Sequence, residues 1–124
     1  MKYVDGFVIA IPKRNTKTYA KMAKWGRKIW MKHGALEYFE CVGDDLDPDM
    51  QGMAYTSFPK LTRMKKNETV WFSFIVFRSK AHRDRVNAKV MKEMNAFMEK
   101  HKDMKMPFEM KKFSYGGFKA VVEG

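Results

Sequence analysis

Cysteine is almost missing from this 124-residue chain, with Cys41 alone. One thiol can neither close an internal disulfide nor supply a cysteine metal cluster, so a reducing compartment, the cytoplasm, is expected. Long apolar runs are missing too. None approaches the roughly 20 residues that span a bilayer. The opening apolar stretch, residues 7–11, is short and follows Asp5, so it reads as a strand and not as a signal peptide, and no membrane partner is expected. Acidic residues are in deficit, 14 Asp and Glu against 25 Lys and Arg, for a formal charge of +11. Such a surplus attracts anions of every kind over about 10 Å at 0.1 M salt, and by itself selects none of them.

What is present is enough for one packed domain. The residues are 45% hydrophobic and 15% aromatic, and the length suits a single core. Tyr3 to Ile11 is β-branched and aromatic and ends at Pro12, which predicts a first strand followed by a turn to Asn15. From Thr16 to His33, Tyr19, Met22, Ala23, Gly26, Ile29, Trp30 and His33 recur at helical spacing, with Asn15 as expected N-cap and Gly34 as C-cap. Leu36 to Val42 alternates as a strand. The stretch from Asp44 to Thr69 is too long for a plain loop, and Ser57 before Phe58 and Pro59 predicts a short helix to about Met64. Val70 to Phe77 is apolar except at Ser73, a central strand covered on both faces. A long helix runs from Ser79 or Lys80 to about Lys100, its buried stripe built on Val86, Val90, Met94 and Phe97 with Met91 and Met98. Phe113 to Val122 is the last strand, where Gly116 and Gly117 predict a bulge or a close backbone approach.

The order strand, helix, strand, strand, helix, strand predicts an α+β, ferredoxin-like βαββαβ fold, a four-stranded antiparallel sheet with both long helices on one face. On the third strand Trp71, Ile75 and Phe77 point one way and Phe72, Phe74 and Val76 the other. Both faces are apolar, so something besides the helices must cover the second. A symmetric homodimer is the expected cover, with a lipid or nucleic-acid ligand as the alternative.

Local motifs for chemistry are weak. His33, Glu37, Glu40 and Cys41 gather where the first helix meets the second strand, a place for a general acid or base. However, His33 suits the helix C-terminus, alternation puts Glu37 and Glu40 on opposite faces, and a small thiol is commonly packing. Asp45, Asp47 and Asp49 alternate as in a calcium loop, but Met50 stands where the turn glycine belongs and Thr56 where the bidentate Glu belongs, so no metal is expected. The Gly116 and Gly117 pair lacks the Lys and Ser or Thr of a phosphate loop. No cofactor is expected. The basic residues are more telling: Lys17, Lys21, Lys24, Arg27, Lys28 and Lys32 lie on the first helix with no acidic residue among them, a uniformly positive face suited to a polyanion.

Several separated stretches carry a family resemblance. Tyr3-Val4-Asp5-Gly6-Phe7, His33-Gly34-Ala35-Leu36, Glu40-Cys41 with Gly43-Asp44-Asp45, Thr56-Ser57-Phe58-Pro59, Glu68-Thr69-Val70 with Phe72-Ser73, and Met106-Pro107-Phe108 with Tyr115-Gly116-Gly117-Phe118 resemble the YbaA-like family of bacterial proteins nearly end to end. The resemblance implies a dimeric α/β barrel, two such sheets packed face to face, and no known activity. The wider superfamily that this fold resembles includes monooxygenases and haem-degrading enzymes, which place a Trp, a His and an Asn at positions nearest here to Trp71, His82 and Asp5. Asp5 departs from the amide, and fold alone does not carry function across.

Two functional classes follow. The first is a homodimer that binds, or binds and converts, a small apolar or anionic molecule in a cleft between sheet and helices, with Tyr3, Asp5, Trp25, His33, Trp71, His82 and Phe118 as candidates. The second is a basic protein that associates nonspecifically with RNA or DNA through the first helix.

Overall fold

A computed structural model describes all residues, 1–124. The chain runs β1 (Tyr3–Pro12), α1 (Thr16–Lys32), β2 (Glu37–Val42), α2 (Phe58–Thr62), β3 (Glu68–Phe77), α3 (Lys80–Lys100) and β4 (Phe113–Lys119), with single 3₁₀ turns before α1 and β4. The sheet order is β2-β3-β1-β4 and every neighbouring pair is antiparallel, the α+β arrangement that the element order predicts. No helix is long and apolar enough to cross a membrane.

Register decides which residues meet the helices. Ser73 pairs with Glu40 and with Phe7, and Ile75 with Tyr38 and with Asp5. Directly opposed residues share a face, so Tyr38, Glu40, Asp5, Phe7, Ser73 and Ile75 all point to the side where α1 and α3 pack. Two apolar clusters build that side. One joins Ile29, Ile75, Phe77, Val86 and Val90 near the start of α3. The other joins Ile9, Ile11, Tyr19, Ala23 and Trp71.

The opposite face is covered only in part. α2 lies over one end of it, against β3 and β1, with Phe58 and Phe72 rings 6.5 Å apart, and Ala10 and Val70 are buried. Phe39, Phe72 and Phe118 remain 47%, 44% and 61% exposed. The double cover expected for β3 is therefore absent within one chain, because α2 is only five residues long and reaches one end of the face.

One local expectation changes and two are narrowed. Asn15 occupies the N-cap position of α1 with no side-chain cap. Its amide instead donates to the Pro107 carbonyl at 2.9 Å and ties α1 to the segment before β4. Gly116 and Gly117 form no bulge, since pairing with β1 runs unbroken through both. A Cβ on Gly117 would collide with the Tyr3 ring, so the close approach, and not a kink, requires the glycine. At the end of α1, Gly34 follows the cap residue at φ 113°, the left-handed conformation of a helix stop. Ser57 caps α2 as expected, its hydroxyl accepting from Lys60 N–H.

Candidate functional site

A cavity of about 600 Å³ opens between the sheet and the two long helices. Its walls come from both clusters, with Ile9, Tyr19 and Ala23 from one and Ile75 from the other. Seven methionines line it: Met22, Met91, Met94, Met98, Met104, Met106 and Met110. Four belong to α1 and α3, and the last three to the segment that crosses back to β4. Unbranched thioethers fill irregular space without fixing one shape, so this wall is pliable. Phe7, Trp25, Trp30, Phe108 and Phe113 add aromatic surface.

One carboxylate stands in this apolar space. Glu40 reaches the cavity from β2. Tyr19 donates to its Oε1 at 2.8 Å and Tyr38 to its Oε2 at 2.6 Å. The Ser73 hydroxyl, only 3% exposed, donates to Oε1 as well. Three O–H donors on one acceptor-only group are the arrangement that an ionised carboxylate asks for. Burial, then the charge of Glu40, pushes both tyrosine hydroxyls far above the ordinary tyrosine range. They stay protonated donors at any ordinary pH. Glu40 makes no ion pair.

A second polar cluster lies toward the start of β1. Asp5, 1% exposed, accepts from Arg83 Nη1 at 2.7 Å and from Asn87 Nδ2 at 3.3 Å. Arg83 also donates to Tyr115 and sits 4.8 Å from the centre of the Tyr3 ring. Here the buried charge is matched, and the geometry clamps α3 to β1.

Residues 2–110 match the family described as "Protein of unknown function (DUF1428)". The chain belongs to this family. It is 38% identical to the Escherichia coli (strain K12) protein named "Uncharacterized protein YbaA" over 125 residues, covering 99% of each chain. The protein of the same name from Shigella flexneri matches to the same extent. The YbaA-like resemblance carried by the six stretches is thereby borne out, and the family match covers β1 to α3 and the methionine segment as far as Met110.

Within this family member the seven cleft candidates do not converge. Only Trp25 lines the cavity. Tyr3 and Asp5 belong to the Arg83 cluster. His33 pairs with Glu93 at 2.9 Å at the end of α1. Trp71 is buried edge-on against Tyr19, ring centres 4.8 Å apart, and its indole N–H has no acceptor. His82 is buried against Phe77, and its Nδ1 accepts from Arg78 N–H. Phe118 is opposite Val4 on the other face of the sheet, so alternation removes it from the cleft altogether. Trp71, His82 and Asp5 thus stand at three separate places, and the haem-type constellation is not assembled.

Ser73, Tyr19 and Tyr38 are not among the candidates; Glu40 is, only as a possible acid or base beside His33, Glu37 and Cys41 and not as a cleft residue. The signal that marks them is the polar interruption of apolar strands: Ser73 breaks the apolar run of β3, and Glu40 is the acid on the inward side of β2. Pairing register, which joins the two, does not show in either strand alone.

Proposed function

We propose that this protein binds a mostly apolar small molecule between sheet and helices, with the ligand's polar end at Glu40, and that it works as a homodimer. The observation that carries the reading is an apolar cavity of about 600 Å³ with one hydrogen-bonded carboxylate inside it. That volume falls in the ordinary range of ligand pockets, roughly 300–1,000 Å³, and few polar groups in an apolar wall are how such pockets orient a ligand. Acceptor geometry fixed by three donors favours binding over conversion. Conversion at this site would be proton transfer at Glu40, since the tyrosines hold their protons.

The dimer rests on the exposed Phe39, Phe72 and Phe118 on the open face. A neutral environment-sensitive dye such as Nile red tests the cavity. One equivalent per chain should bind, and Met94→Trp, which fills the space, should abolish binding while the thermal transition persists. Equal binding to both proteins, or none to either, contradicts the reading.

A second reading has its own observation. Lys17, Lys21, Lys24, Arg27, Lys28 and Lys32 are all exposed, and of these only Lys32 is ion-paired, with Glu93. This supports salt-sensitive association with a polyanion. Base-stacking aromatics are not beside them, because the exposed phenylalanines lie on the sheet face away from α1. Replacing Lys21, Lys24 and Lys28 with Glu should abolish low-salt RNA binding and leave dye binding intact. RNA binding unaffected by that change contradicts this second reading.

A further inference from the structure

The chain carries 25 lysines and arginines, yet no Lys, Arg or His lines the cavity, and its one carboxylate is Glu40. The three hydroxyls that hold Glu40 are dipoles, not countercharges, and no ion pair reaches it. A charge facing low-dielectric surroundings without a partner is costly, in contrast to Asp5, which has Arg83. The partner is best supplied from the cavity side. Aromatic rings frame that side: Tyr19 and Tyr38 touch Glu40, Trp30 stacks obliquely on Tyr38 with centres 5.9 Å apart, and Trp25 shares the wall. Ring faces are negative and attract cations, most strongly when water is excluded.

We infer that the ligand is an apolar organic cation, a protonated or quaternary amine on an aliphatic or aromatic body. The inference rests on the reading of the cavity as a binding site. The cationic centre lies toward Glu40 and the tyrosine and tryptophan rings, and the body lies among the methionines, whose pliability admits related bodies of different outline. An anionic head would face the Glu40 carboxylate with no Lys, Arg or His in the lining to pair with it. A neutral head would leave that charge unpaired. The exterior charge of +11 opposes approach of a cation, but it is screened within about 8 Å at physiological salt and slows arrival more than it weakens the bound state.

Three probes of one length decide it: 4-phenylbutyltrimethylammonium, 4-phenylbutanol and 4-phenylbutyrate, titrated calorimetrically at about 0.15 M salt. The cation is expected to bind about tenfold or more tighter than the alcohol, and the carboxylate most weakly. Glu40→Gln should remove about tenfold of cation affinity and leave the alcohol within about twofold. Met94→Trp should remove binding of all three. An alcohol as tight as the cation, or cation affinity unchanged by Glu40→Gln, overturns the inference and leaves the cavity reading standing. No binding by any probe overturns both. Cation binding that survives Met94→Trp lies elsewhere and also overturns it. Should Glu40→Gln fail to fold, the ranking of the three probes on the native protein and on Met94→Trp decides.

Discussion

Ser73 stands directly opposite Glu40 in the β2–β3 pairing, and its hydroxyl donates to the Glu40 carboxylate. The same carboxylate accepts from Tyr38 two residues earlier on β2 and from Tyr19 on α1. One acid therefore ties two strands and a helix together at the wall of the cavity, and the site and the stability of the fold share the same bonds.

Removing a donor should be felt in both. Ser73→Ala and Tyr38→Phe are each expected to destabilise by about 1.5–3 kcal/mol, the scale of a hydrogen bond to a charged acceptor. Because the donors serve one group, the double variant should depart from the sum of the singles. Urea unfolding of the four proteins measures this, and strict additivity would contradict the shared network.

Gly26 supplies an independent probe. It lies inside α1, where Ala is favoured by about 1 kcal/mol. An added Cβ would sit 3.2 Å from the Tyr38 hydroxyl, which Glu40 holds at 2.6 Å. The hydroxyl cannot retreat without stretching that bond. Gly26→Ala should therefore bring no net stabilisation in the native protein and a clear gain in a Tyr38→Phe background, read from thermal midpoints.

His82 sets a pH dependence. Burial, then the positive charges of Arg78 and Arg85, holds its imidazole below the ordinary value of 6.5. Its Nδ1 accepts from Arg78 N–H, so the neutral ring carries its proton on Nε2, against Gly34. The unfolded chain takes up a proton near pH 6.5, and the folded chain only at lower pH. Stability from this group is thus full above about 6.5 and declines as pH falls toward the depressed folded value. His82→Gln should flatten the chemical-denaturation midpoint against pH over that window. An unchanged slope would show that other groups carry it.

Most of the architecture is legible in the residues, for a physical reason. Helical and two-residue periodicities are local, so β1, α1, β2 and α3 begin and end within a residue or so of where apolar spacing, Gly34 and Ser79 put them. Ser57 marks α2 because its capping bond spans only three residues. The site is different. Glu40 and Ser73 are 33 residues apart and meet only through strand register, and Asn15 forgoes its own helix for a carbonyl 92 residues away. Phe118 looks like a cleft residue until pairing with Val4 fixes its face. The cavity itself arises from how α1, α3 and the methionine segment stand off the sheet, a distance that no local pattern encodes.

The open face makes a prediction about assembly. Phe72→Glu puts a charge among Phe39, Phe74 and Phe58, whose rings cluster there. Light scattering should give a dimer mass for the native protein and a monomer mass for this variant, with cavity binding retained. A native monomer would show that this face is not the interface.

The most direct test of the central claim is a structure of the protein grown with 4-phenylbutyltrimethylammonium. The account predicts the probe between sheet and helices, its ammonium within reach of the Glu40 carboxylate and its phenyl group among the methionines. A cavity that remains unfilled at a saturating concentration of probe, or a probe seated elsewhere, would contradict it.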